Sequence, residues 1–181
     1  MEQELVSDLN FAPVSESQTF PWYAIRIKSR LEPVTSHALA GKGYDTYLPV
    51  YKDRRKWSDR VVQCDVPLFP GYLFCRFDAF RRLPILTTPG VLSIIGFGKS
   101  PQPIDDQEID AVKTVLASSV FAEPCPFLRE GDRVRIVRGA LEGLEGILVK
   151  KKTQYRMVLS VTMLMRSVSV EIDSDWITDA H

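Results

Sequence analysis

The sequence predicts an α+β protein of two modules: an N-terminal α/β sandwich with helices on a mixed or antiparallel sheet, then a small C-terminal β-barrel. Three observations carry this. Strand-like alternation and helical stripes are interleaved between residues 22 and 118; an aperiodic stretch with Pro124 and Pro126 follows at 119–127; from Gly131 the pattern is β throughout. The chain has 181 residues, enough for one ordinary domain or two small ones. At 45% hydrophobic and 25% charged residues it has the balance of a globular chain that builds a core. No apolar run approaches the roughly 20 residues that span a bilayer, and a cytoplasmic location without membrane contact is expected. Cys64, Cys75 and Cys125 are odd in number and widely spaced, which suits reduced thiols.

Residues 1–21 carry four acids and no base and lack periodicity, so a mobile acidic extension is expected. Trp22 to Lys28 alternates, with Tyr23, Ile25 and Ile27 on one face, as a half-buried strand does. Pro33 opens a short helix in which Val34, Ala38 and Gly41 share a face. Tyr44 to Val50 returns to strand chemistry, and Tyr51 to Arg60 reads as a charged hairpin turning at Ser58-Asp59. Val66 to Phe77 is too continuously apolar for a one-faced strand and is expected at the centre of a sheet. Asp78 caps a short helix carrying Phe80 and Leu83, which Pro84 ends or distorts. Gly90 resets the chain for a strand over Val91 to Ile95. Asp105 with Glu108 resembles a capping box for a helix to about Ser118, with Ile109, Val112 and Leu116 as its buried stripe. Residues 119–127 read as a linker and 128–178 as the barrel. Across Arg138 to Ile147, Gly139, Gly143 and Gly146 weigh against a helix by about 1 kcal/mol each.

Formal net charge is zero, yet residues 22–60 hold nine bases against four acids. A local basic surface in a neutral protein follows. No catalytic group is expected: His37 and His181 have no evident partners, and there is no phosphate loop, HExxH or GxSxG motif. No metal or cofactor is expected either. A ribosome-associated RNA-binding protein using Arg129, Arg133, Arg135, Arg138, Lys150, Lys151 and Lys152 is the competing reading. The near-neutral barrel region, nine bases against eight acids, disfavours it because phosphate contacts dominate such affinities.

The element order, with Trp22-Tyr23 at the front and Phe69-Pro70-Gly71-Tyr72-Leu73-Phe74 in the middle, closely resembles the NusG family of transcription elongation and antitermination factors. Residues 22–118 look like its NGN domain. Glu130 to Ile136, with Gly139 and Gly143-Leu144-Glu145-Gly146-Ile147, look like its SH3-like KOW barrel; the KOW motif here is Gly131, Val134, Ile136, Gly139, Gly143 and Gly146. Arg166 to Ile172 resembles the specialised, operon-restricted paralogues of the RfaH and UpxY groups. The resemblance implies docking on the β′ clamp helices of RNA polymerase through Phe69, Tyr72 and Phe74, with Pro70 and Gly71 shaping the approach. It also implies suppression of pausing or termination, and recruitment of ribosomal protein S10 or Rho by the barrel. Non-template DNA would meet Lys28, Arg30, Lys52, Arg54, Arg55, Lys56 and Arg60, with Trp57 as a stacking face. A contact with the β gate loop is implied as well, although Arg81-Arg82-Leu83-Pro84 stands here in place of a Thr-rich motif, with Thr87-Thr88 later. A monomer with an open, β-form second module is expected.

Overall fold

The protein is described by a computed structural model over residues 20–56, 61–118, 120–126, 131–151 and 154–180. Of the expected acidic extension, all but Phe20 and Pro21 lies outside these residues, as do Ser58 and Asp59 of the expected turn. The first module runs β1 (Trp22–Ile27), α1 (Glu32–Gly41), β2 (Asp45–Tyr47), β3 (Val50–Lys56), β4 (Val61–Pro67), β5 (Tyr72–Arg76), α2 (Leu83–Leu86), β6 (Val91–Ile94), β7 (Gly96–Phe97), β8 (Ser100–Pro101), β9 (Pro103–Ile104) and α3 (Asp106–Ala117). Its antiparallel sheet has the order β2-β5-β1-β6, with β9 also on β1; β3 and β4 form a separate hairpin.

Sitting between β5 and β6, β1 is buried on both faces rather than half-buried, because a central strand covered by two layers has no solvent side. Tyr23, Ile25 and Ile27 pack with Leu39, Leu73, Phe77 and Ile85. Trp22 and Ala24 join Ile109, Val112 and Val115 of α3. Only Arg26 of this strand is exposed. Helix α1 begins at Glu32, with Pro33 in its first turn, and buries Glu32, Thr35 and Leu39; of the residues expected to share a face, Val34 and Gly41 are exposed and Ala38 is half-buried. The contacts to the sheet, and not the run of small apolar residues, set which face turns inward. Burial, then Asp45, pushes the Cys75 thiol up to about 12, so it stays protonated as a core filler.

The expected strand over Val66 to Phe77 is broken in two. Val66 and Pro67 end β4, Leu68 and Phe69 are buried, and Pro70-Gly71 turns the chain before β5. Pro70 lacks the N–H a ladder needs, and Gly71 holds φ at 82°, a conformation glycine adopts without steric cost. Asp78 caps a 3-10 turn at Ala79–Arg81 by accepting from Phe80 N. Pro84 lies in the first turn of α2 instead of ending a helix, consistent with its missing donor being redundant there. In α3, Asp105 accepts from Gln107 N at 2.9 Å, and Val115 rather than Leu116 completes the buried stripe. Glu108 does not return to the cap; it reaches the second module.

That module is a barrel-like antiparallel sheet of β10 (Ala122–Pro126), β11 (Asp132–Ile136), β12 (Glu145–Lys151), β13 (Gln154–Val161), β14 (Arg166–Ile172) and β15 (Ile177–Asp179), in the order β10-β14-β13-β12-β11-β15. The segment 119–127, expected as a linker, contributes β10, paired to β14 from Ala122↔Val170 to Pro126↔Arg166. Its two prolines are tolerated because β10 is an edge strand, free to leave one side unpaired. On β14, Ser167 and Ser169 are buried along with Val168 and Val170; Ser167 meets Ser160 at 2.7 Å and Ser169 meets Arg156 at 3.4 Å. The barrel residues Val134, Ile136, Met157, Leu159 and Val170 belong to the same apolar cluster as α3. Thr162 donates to Glu108 from its backbone N at 3.2 Å and from Oγ1 at 2.7 Å. The second module is therefore β-form, as expected, but packed on the first rather than open.

Candidate functional site

The aromatic strand is positioned by its neighbours. In β5, flanked by β2 and β1, Tyr72 pairs opposite Arg26 and Phe74 opposite both Ala24 and Tyr47. Phe74 stacks on Tyr47 with ring centroids 6.2 Å apart and meets the edge of Phe69 at 6.0 Å. Phe69 and Phe74 are 2% and 0% exposed, so the two phenylalanines expected at a partner surface are core. Phe74, in a strand with sheet neighbours on both sides and a layer above it, has nowhere else to point, and Phe69, in the break before β5, is buried against its ring. Pro70 is exposed, while Gly71 and Tyr72 are half-buried. Tyr47 and Tyr51, half-buried against the same cluster, extend this aromatic layer. Burial pushes the Tyr47 hydroxyl up to about 12. Sequence reasoning passed over both tyrosines, although each lies in a segment already read as strand or hairpin.

The turn before Tyr72 is held from two sides. Gly71 N donates to Glu32 Oε1 at 2.9 Å, and Gly71 O accepts from Ile27 N at 2.7 Å. Glu32 is 4% exposed, and a buried carboxylate without a donor is costly, so the first residue of α1 and the Gly71 turn fix each other. Glu32 is a positioning residue that the sequence hid behind Pro33. On the other side of the sheet, Arg76 and Lys113 lie over the Trp22 ring at 4.7 and 4.9 Å, within cation–π range.

The expected basic residues fall in two places. Lys28 and Arg30 are exposed at the end of β1, next to the Gly71 turn through the Ile27–Gly71 bond. Lys52, Arg54, Arg55 and Lys56 lie on β3, opposite Asp65, Gln63, Val62 and Val61 of β4. Lys52 pairs with Asp65 at 2.5 Å, which offsets its charge locally. Trp57 and Arg60 lie outside the described residues.

In the barrel, Val134 and Ile136 are core, and Gly146 lies where an added Cβ would sit 2.7 Å from Val158 O. Arg135 pairs with Glu145, and Arg156 with Glu123 and with Glu171 at 2.8 Å. Burial acts to lower the Arg156 pKa, but Glu123 and Glu171 outweigh it and hold the guanidinium firmly charged. Arg129 and Lys152, part of the competing RNA-binding set, lie outside the described residues. Among the described residues no three metal-ligating side chains converge, and no helix is long and apolar enough to cross a membrane.

Comparison with known proteins places these features. Residues 20–113 match the family model described as "Transcription termination factor nusG". The transcription termination/antitermination protein NusG of Thermus thermophilus is 27% identical over 88% of this chain and 98% of its own length. Lactococcus lactis NusG is 27% identical over 90% of each chain, and Helicobacter pylori NusG 24% identical over 83% of this chain and 93% of its own. Among solved structures, one described as "Domain interaction in Thermotoga maritima NusG" superposes with a TM-score of 0.53 at 18% identity, covering 89% of this chain and 97% of that one, a likeness of fold.

Proposed function

The chain belongs to the NusG family, and from that premise we propose that it is a transcription termination/antitermination factor that docks on RNA polymerase through the aromatic layer around Tyr72. One observation carries the docking reading: Tyr72, Tyr47 and Tyr51 are half-buried over Phe69 and Phe74, in an apolar cluster that continues into the barrel. A surface of this kind gains energy from any apolar partner that replaces its present cover. The β′ clamp helices are that partner, and they take the place of the barrel on the first module. Bridging the cleft, the first module suppresses pausing or termination, while the released barrel recruits ribosomal protein S10 or Rho.

The hairpin residues Arg54, Arg55 and Lys56, with Lys28 and Arg30, meet the non-template strand; Arg81 to Pro84 meets the β gate loop. The protein acts in the cytoplasm as an operon-specialised factor. The ribosomal alternative is weakened because Arg135, one of the bases it relies on, is already paired with Glu145.

Binding of Tyr72→Ala to polymerase tests the docking. A loss of about 2 kcal/mol, roughly 30-fold in Kd, is expected for an aromatic at the centre of an interface. An affinity within about 0.5 kcal/mol of wild type removes the assignment. Charge reversal at Arg54 and Arg55 lowers crosslinking to non-template DNA and leaves polymerase binding in place; unchanged crosslinking takes the hairpin out of the contact.

A further inference from the structure

A second apolar surface takes no part in the aromatic layer. Phe80 is 99% exposed, Phe97 72%, Leu83 68% and Leu92 58%. Single exposed apolar residues are ordinary, whereas a joined group marks an interaction surface. Here a groove beside α2 links part of the group, with Leu83 and Phe97 adjacent in the chain to its lining residues and Phe80 close by in sequence. Leu83 and Leu86 lie three apart on α2, on one side of it. Leu86 and Leu92 line one groove of about 230 Å³ together with Arg82, Gly98 and Lys99. Arg82 Nη1 donates to the Lys99 carbonyl at 2.7 Å, pinning the turn between β7 and β8 beside α2, with Phe97 next in the chain. The rim is basic, and Arg81 is 88% exposed with its carboxylate neighbour Asp78 only at 3.9 Å.

A second groove, of about 570 Å³, includes Arg81, the neighbour of Arg82 in the chain, and Phe20, where the described chain begins. Phe20, Tyr44, Asp45, Arg76, Asp78 and Arg81 line it, so the excess of positive charge lies at Arg82 and Lys99 rather than here. Arg76 Nη1 donates to the Phe20 carbonyl at 3.1 Å and holds the chain there. Residues 1–19 thus attach beside Arg81, one residue from Phe80. They contain Glu2, Glu4, Asp8 and Glu16, no lysine or arginine, and the apolar Leu5, Val6, Leu9 and Phe11. Extended, such a length reaches up to about 60 Å, ample for the whole surface. Charge is complementary, and closing so short a loop costs little entropy compared with recruiting a separate molecule.

We propose that residues 1–19 dock on this surface, with their apolar side chains on Phe80, Leu83, Leu92 and Phe97 and their carboxylates on Arg81, Arg82 and Lys99. The segment then covers Arg81 to Pro84, the stretch assigned above to the gate loop; its docking does not depend on that assignment. The test uses the full chain, without polymerase, with Phe11→p-benzoylphenylalanine as a photocrosslinker that keeps the aromatic ring. Crosslinks are expected to concentrate on residues 80–92 and Phe97. They fall about tenfold in Phe80→Ser/Leu83→Ser and again in Arg81→Glu/Lys99→Glu, pairs that alter only exposed side chains. Crosslinks spread without preference over the molecule, or unchanged in both double variants, overturn the proposal. So do crosslinks found only between isotope-labelled and unlabelled copies, which make a second molecule the occupant.

Discussion

Gly146 shows how a single residue serves two arguments. In the sequence it counts against a helix, as one of three glycines between Gly139 and Ile147; in the structure its role is close packing, since a Cβ there would meet Met157 Cγ at 2.6 Å and Val158 O at 2.7 Å. The carbonyl belongs to the ladder between β12 and β13 and has no freedom to retreat. Gly146→Ala is therefore expected to destabilise the barrel by about 2 kcal/mol, within the range of overpacking. Urea unfolding measures it, and a change below about 0.5 kcal/mol contradicts the packing role. Phe69 and Phe74 teach the reverse lesson. Their residue type suits an interface, but sheet neighbours turn Phe74 inward and Phe69 packs on its ring, contacts that no local pattern records.

At the scale of elements, β10 was the hardest to read. Its partner residues on β14 lie forty or more positions away, and Pro124 and Pro126 erase local strand signals, so its composition is that of a linker. Arg156, 13% exposed, clamps it by bonding Glu123 of β10 and Glu171 of β14. Arg156→Met leaves two carboxylates facing one another. The expected cost is about 2 kcal/mol, below the 3–5 of a fully buried pair because both carboxylates are about a third exposed. Amide exchange at Glu123 and Cys125 should accelerate with it; unchanged exchange there would show that the clamp does not hold the strand. By contrast, α3 was legible almost to the residue, because its cap at Asp105 and its stripe from Ile109 to Val112 are local signals. Strand β1 was legible as a strand but not as a central one: alternation records one face, and the burial of Trp22 and Ala24 depends on α3, some eighty residues later. Helix α1 was placed within a residue but its buried face was not assigned, since Thr35 and Leu39 face inward for reasons that lie in the sheet. In the candidate site, Gly71 and Tyr72 were visible as members of a motif, but the turn at Pro70-Gly71 was not, since the apolar run read as one strand. The Glu32 carboxylate that holds the turn was not, because a glutamate before a proline looks like any acidic helix start.

For the whole molecule, the contact between modules is the quantity that matters. Glu108 accepts two bonds from Thr162 across it. Glu108→Ala removes both and, with the groups partly exposed, loosens the packing by about 1 kcal/mol. Polymerase affinity is then expected to rise about fivefold, as the aromatic layer is uncovered more often; an unchanged affinity would mean that the barrel does not compete for that layer. Only four residues separate Ala117 at the end of α3 from Ala122 at the start of β10, and they span at most about 14 Å. Once displaced, a barrel on so short a tether still faces the first module at an effective concentration in the millimolar range or above. Any partner must outcompete that local ligand, and on its departure the surface closes again without waiting for diffusion.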